Sequence, residues 1–249
     1  MISVKNSDHI KLMKEAGRIT GEALYLACEK VRAGMTTKQL DTIIRQHIES
    51  RGARPSFLGY GGFPGSACIS INNQVIHGIP GSRVIEDGDI VKVDVGAFYK
   101  GYHGDSANTF AVGNVSAEAK KLIEVTKQSF WAGIAEAKPG NRVGDIGFAV
   151  QSYVEANGFS VVRRYVGHGV GAELHESPEV PNFGTKGRGV RLYAGMTIAV
   201  EPMVNVGSPD VHELSDKWTV VTADGSLSAH YEHSIAITDD GVIVLTKVD

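Results

Sequence analysis

Apolar residues recur at helical spacing in four stretches of the chain. From Ser7 to Val31, the positions Ile10, Met13, Ile19, Ala23, Leu24, Ala27 and Val31 share one face, and Gly34 supplies a stop. Thr36 with Gln39 forms a capping-box pattern ahead of Leu40, Ile43, Ile44 and Ile48, which predicts a second helix ending at Gly52. Ser116 opens a third helix with Leu122, Ile123, Phe130 and Ile134 inward and Pro139-Gly140 closing it. Ile146, Val150, Tyr153 and Val154 mark a fourth, ended by Asn157-Gly158. Elsewhere the pattern is that of strands. Ile90 to Tyr99 and Tyr102 to Val112 flank a Lys100-Gly101 turn, and Val161 to Val166, Met196 to Val206 and Ser226 to Thr238 are further β-prone runs.

The pattern repeats once. Gly34, Leu40, Ile44, Ile48 and Gly52 recur at constant spacing as Gly140, Ile146, Val150, Val154 and Gly158, matching turn, apolar face and stop. Gly88-Asp89-Ile90-Val91-Lys92-Val93-Asp94 is echoed by Gly195-Met196-Thr197-Ile198-Ala199-Val200-Glu201, so each half carries two helices and then strands ending in a carboxylate. This predicts one α+β domain over residues 1–249, a duplicated unit with halves at about 7–112 and 116–247 joined around one core.

Composition narrows the partners. The 249 residues are 42% hydrophobic and 21% charged, enough to bury a sizeable core. Lys and Arg number 25 against 28 Asp and Glu, a net charge of −3 that leaves no basic excess for nucleic acid or an anionic membrane. The charge-free stretch Phe57 to Ser82 is rich in Gly, Pro, Ser and Asn and cannot span a bilayer. With only Cys28 and Cys68 and no apolar run in Met1-Ile2-Ser3-Val4-Lys5, the reducing cytoplasm is the expected compartment.

The polar residues within the strand runs are the candidates for chemistry. If Tyr99 pairs with Tyr102 across the turn, Asp94 faces Ala107 and Asp105 sits diagonally across on the same face. Two adjacent carboxylates on an apolar strand pair repel and lose hydration unless they share a proton or a cation. Either one alone reads as a solvated hairpin aspartate. Glu201-Pro202 interrupts an apolar run, and alternation places His230, Glu232 and Ser234 on one face with Tyr231 and His233 on the other. Each glutamate alone could equally sit at an edge or pair with Lys or Arg. His168 lies between Gly167 and Gly169, and His77 precedes Gly78; glycines there allow another group to approach closely. Asp94, Asp105, His168, Glu201 and Glu232 form a ligand set of oxygen donors with one imidazole and no thiolate, suited to Mn, Fe(II), Co or Zn.

Ile76-His77-Gly78-Ile79-Pro80, Val93-Asp94-Val95-Gly96, Gly104-Asp105, Gly167-His168-Gly169-Val170-Gly171, His175-Glu176-Ser177-Pro178, Ala199-Val200-Glu201-Pro202 and Tyr231-Glu232-His233 occur in that order. Over essentially its full length the chain resembles the bacterial type I methionine aminopeptidases. The resemblance implies the pita-bread α+β fold, with two pseudo-symmetric halves, a curved antiparallel sheet and helices outside. It also implies a hydrolase with two divalent metal ions. Asp94 and Asp105 would hold one, His168 and Glu201 the other, and Asp105 and Glu232 would bridge. Two such ions about 3.5–4 Å apart can activate one water as a nucleophile. By the same resemblance His175 serves the oxyanion, Glu201 proton transfer and His77 the leaving-group region. The implied task is removal of the initiator methionine from nascent chains with a small second residue, with transient ribosome contact and a monomeric enzyme.

Phe57 lies near, and Tyr60, Phe63, Cys68, Leu174 and Trp218 match, the family's methionine side-chain pocket, although each alone could be ordinary core. The chain departs from the family at Gly61, where His is common, at Leu174, where Phe is frequent, and at His230, where Gln is frequent. An Xaa-Pro dipeptidase or aminopeptidase shares the five ligands but usually carries an N-terminal domain. A non-catalytic scaffold of the same fold would be expected to have lost ligands.

Overall fold

The computed structural model describes residues 2–248, so Met1 of the polar start lies outside them. Helices form where the apolar period predicts them, as α1 (Ser7–Lys30), α2 (Thr37–Ser50), α3 (Ala117–Ile134) and α4 (Val143–Ala156). Polar side chains satisfy the free amides of the first turns. Asn6 accepts from the amides of Asp8 and His9. In the capping box, the Thr36 amide donates to Gln39 Oε1 at 2.8 Å and the Gln39 amide to Thr36 Oγ at 3.2 Å. Ser116 Oγ accepts from the Ala119 amide at 3.1 Å. Gly34, Gly52, Gly140 and Gly158, the repeated stops, all have positive φ. α3 ends at Ile134, short of Pro139, because Glu136 and Ala137 bond three residues back, to Gly133 and Ile134, and tighten the chain out of the α-helix.

The main sheet has nine strands. Its order runs Arg54–Pro55, Ile90–Tyr99, Tyr102–Ala111, Glu232–Thr238, Thr197–Val200, Gly167–Gly169, Glu176–Val180; Ala67–Ile71 also pairs with Ile90–Tyr99, and Gly241–Val244 with Glu232–Thr238. Every pairing is antiparallel. In the central hairpin Tyr99 pairs with Tyr102 and Asp94 with Ala107, the predicted register. Alternation then sorts the faces. Val91, Val93 and Val95 pack in one core with Ile19, Leu24, Leu40, Ile44 and Ile48 of α1 and α2. Ile198, Val200, Ile235 and Ile237 pack in another with Leu122, Phe130, Ile146 and Val150 of α3 and α4. The helices thus cover one side of the sheet, and Asp94 is left on the other.

Three predicted strands are shorter than their apolar runs. Only Ser160–Val161 of the Val161–Val166 run is extended, the rest forming the bend before Gly167–Gly169. The Met196–Val206 run divides into Thr197–Val200 and Met203–Asn205, and the Ser226–Thr238 run into Ser228–His230 and Glu232–Thr238. Both divide at one level. Val200 pairs with His233 in the main sheet, whereas Met203 pairs with His230 in a separate three-stranded sheet. Pro202, with no amide to donate, sits at the first break, and its carbonyl accepts from the Tyr231 amide at the second. Glu201 and Glu232 flank this shared corner.

Ile44 is fully buried between α2 and the sheet. Ile44→Ala is expected to lose about 2–5 kcal/mol of stability, measured by urea unfolding, and to leave the midpoint of metal binding in folded protein unchanged.

Candidate metal centre

The corner and the hairpin bring four carboxylates together. Asp105 is 4% exposed, Glu201 9% and Glu232 2%, and one Asp94 oxygen is fully enclosed. Their backbones are tied by hydroxyls. The Asp105 amide donates to Ser234 Oγ at 3.0 Å, whose hydroxyl donates back to the Asp105 carbonyl at 2.9 Å. Ser106 Oγ donates to the Glu232 carbonyl at 2.7 Å and Thr109 Oγ to that of His230 at 2.8 Å. The Asn182 amide donates to the Glu201 carbonyl at 2.9 Å. These bonds fix the backbone and leave the carboxylate heads free.

His168 faces this cluster. Its Nδ1 lies 2.8 Å from the Gly169 carbonyl and donates to it, which turns the Nε2 lone pair toward Asp105 Oδ2 and Glu201 Oε1, each 3.6 Å away. The flanking glycines are required by sterics. A Cβ at Gly167 would stand 2.4 Å from the Ala199 carbonyl oxygen, and one at Gly169 2.4 Å from that of Ser177. His230 Nε2 lies 3.7 Å from Glu232 Oε2 and 4.0 Å from Glu201 Oε2.

Acceptors here face acceptors. Asp94 Oδ1, Asp105 Oδ1, Glu232 Oε1 and both ring nitrogens of His230 are buried without hydrogen-bond partners. Burial pushes the Asp94 carboxyl up to about 7. It raises Asp105, Glu201 and Glu232 well above the usual carboxylate range, with neighbouring carboxylates adding to the effect. Burial also holds the imidazoles neutral, His168 at about 4 and His230 at about 3. Neutral imidazole and carboxylate oxygens converging without donors fit divalent cations. Asp94, His230 and Glu232 offer ligand atoms within 4.8 Å of one another, as do Asp105, His168 and Glu232.

Beside the cluster opens a cavity of about 370 Å³. Phe57, Phe63, Cys68 and Leu174 form an apolar group against which Ile79 and Trp218 pack, with Phe63 and Trp218 edge to face at 5.1 Å. Burial raises the Cys68 thiol well above its ordinary range, so it stays neutral. Tyr60 stands at the rim with its hydroxyl 2.8 Å from His175 Nδ1. The His175 ring lies 4.2 Å from that of His168. His77 has a left-handed φ of 58° and lies edge-on to Tyr165 and Trp218. All of the sequence-predicted site residues line this one cavity. A more open groove of about 770 Å³ beside α1 contains none of them.

Sequence reasoning missed Arg164, Tyr165 and Ile76 in the lining. The run to Val166 read as a strand, and only its interior Arg163-Arg164-Tyr165 signalled otherwise. His230 was absent from the predicted ligand set, although alternation had placed it on the face of Glu232.

The sequence matches metallopeptidase family M24 over residues 11–239. It is 58% identical to a methionine aminopeptidase of Clostridium perfringens and 52% identical to methionine aminopeptidase 1 of Bacillus subtilis, in each case over 100% of both chains. The crystal structure of a methionine aminopeptidase from Thermotoga maritima superposes with a TM-score of 0.98 at 44% identity, covering 100% of both chains.

The raised carboxyls have a consequence for stability. An acid at about 7 when folded and near 3.9 when unfolded keeps its proton longer in the folded state. Metal-free protein is therefore expected to lose stability as pH rises from about 4 to about 7, with no further loss from this group above that range. Thermal unfolding across pH should show this fall, and saturating Mn should reverse it above pH 7. A melting temperature of metal-free protein that rises over the window would contradict the unpaired cluster.

Proposed function

Because the chain belongs to metallopeptidase family M24, we propose that it is a methionine aminopeptidase, removing the initiator methionine from nascent chains when the second residue is small. The observation that carries this reading is the joining of three buried carboxylates, half-buried Asp94 and His168 to an apolar cavity that holds a buried thiol among aromatic rings. An unbranched thioether fits such a cavity through sulfur–aromatic contacts. The acidic floor suits the free ammonium of a peptide terminus.

Asp94 and Asp105 would hold one divalent ion and His168 and Glu201 another, with Asp105 and Glu232 shared. Bound ions of this kind supply Lewis acidity and bring the pKa of water toward neutrality. Glu201 takes the proton of the attacking water. His175 hydrogen-bonds the developing oxyanion. For that role its Nε2 must carry the proton, so Tyr60 donates its hydroxyl hydrogen to Nδ1 across the 2.8 Å contact. Tyr60 is thus a positioning residue for His175. His77, neutral with its pKa near 4, serves the scissile nitrogen and leaving group. Bulky second residues would crowd this floor.

No helix among the described residues is long and apolar enough to cross a membrane. By the resemblance to the bacterial enzymes, the chain would act in the cytoplasm as a monomer meeting nascent chains near the ribosome.

Metal-stripped protein given Met-Ala-Ser is expected to release methionine only after addition of Mn, Co, Fe(II) or Zn, and to leave an Xaa-Pro peptide intact. Metal-loaded protein that cleaves neither peptide, or one that cuts before Leu or Arg faster than before Ala or Gly, would sink the reading. Asp105→Ala should lower kcat by more than about 100-fold, beyond the effect of losing an outer-shell partner, with the circular dichroism spectrum unchanged. Tyr60→Phe should lower kcat by about tenfold, the equivalent of one hydrogen bond, with a smaller change in KM. An unaltered kcat in that variant removes Tyr60 from the assignment.

A further inference from the structure

The ring of His230 is 2% exposed, and neither of its nitrogens has a hydrogen-bond partner among the described residues. Buried polar side chains in folded proteins almost always have one. The nearest cation does not fill the gap, since the buried Lys92 ammonium donates to the carbonyls of Asn72 at 2.6 Å and Ser228 at 2.9 Å. The ring instead faces two acidic heads, with Nε2 3.7 Å from Glu232 Oε2 and 4.0 Å from Glu201 Oε2. A ring that served only as a hydrogen-bond donor would approach to about 2.9 Å. These separations match those of His168, whose Nε2 is 3.6 Å from Asp105 Oδ2 and from Glu201 Oε1. Two ligands held about 2.0–2.2 Å from a common ion stand at most about 4.4 Å apart. Both imidazoles meet that condition.

The two rings fall in different groups of potential ligands, which share Glu232. His168 groups with Asp105 and Glu232, whereas His230 groups with Asp94 and Glu232. We propose that His230 Nε2 is a further protein ligand of the centre, on the ion held by Asp94 and Glu232. The proposal rests on the two-ion reading above and gives each ion one imidazole, where an oxygen-only site would otherwise stand on the Asp94 side. Nitrogen there favours Fe(II), Co or Zn over Mn at that position. With Gln at position 230, an amide oxygen would replace the imidazole and the site would return to oxygen donors alone.

X-ray absorption at the zinc edge of the full chain loaded with two equivalents of zinc tests this without reference to turnover. The wild type should show about one imidazole per zinc. His230→Gln and His168→Gln should each halve that number, and zinc affinity at the weaker site should fall at least about tenfold in His230→Gln. Half an imidazole per zinc in the wild type, or an unchanged number in His230→Gln, would overturn the assignment while leaving the two-ion centre standing. Metal analysis of the same wild-type sample separates the two readings. A chain that retains fewer than two zinc ions contradicts the two-ion reading, and the proposal falls with it. His230→Asn repeats the comparison should the Gln variant fail to fold, and the wild-type number decides by itself if neither variant folds.

Discussion

Desolvation of four clustered carboxylates, with mutual repulsion adding to it, is the constraint that the rest of the architecture answers. Asp94, Asp105, Glu201 and Glu232 are held with raised pKa values, a state that costs stability until protons or cations compensate. Such a cluster persists only if the backbone cannot relax around it. The antiparallel hairpin with Asp94 opposite Ala107 provides half of that rigidity. The corner where two strands change sheets together at Pro202 and Tyr231 provides the other half. Two apolar cores, one under each pair of helices, stabilise the frame that the site strains.

The acids come in two pairs. Two helices pack against the hairpin that carries Asp94 and Asp105, and two against the strands beside Glu201 and Glu232. The geometry is nevertheless unequal. Asp94 and Asp105 sit on a continuous hairpin, while Glu201 and Glu232 stand where the ladder is broken. The broken half also supplies His168, wedged between glycines whose neighbours leave no room for a side chain. The hairpin and the broken ladder together bring the charges close, and the broken side supplies the nitrogen.

Much of this was legible in the amino-acid pattern because it depends on local rules. The capping box at Thr36, the glycine stops and the hairpin register follow from short-range geometry and were predicted correctly. The interruption at Glu201-Pro202 is visible in the sequence, but the change of sheet there and the break at Tyr231 are hidden, since apolar runs look alike whether their residues stay in one sheet or pass between two. The same limit turned 161–166 into a predicted strand and concealed Tyr165 and Arg164 at the cavity. Alternation had put His230 beside Glu232, yet periodicity carries no information about how close a side chain comes to a partner from another strand. That required the corner, which brings Glu201 to 4.0 Å from the His230 ring.

The apolar cavity and the acidic floor also depend on each other. Under the proposed function, Phe57, Phe63, Leu174 and Trp218 would hold a thioether by contact alone, an interaction with little directional preference. Direction would then come from the polar end, where a terminal ammonium would be drawn to the carboxylates and the peptide carbonyl would meet His175. The 2.8 Å contact from Tyr60 joins the two ends, because one side chain both lines the rim of the cavity and reaches the imidazole of His175. Under the proposed function, a side chain that fills the cavity would press on the same residue that sets the tautomer for the oxyanion. Selection of the first residue and readiness for chemistry would then be coupled through that single hydroxyl.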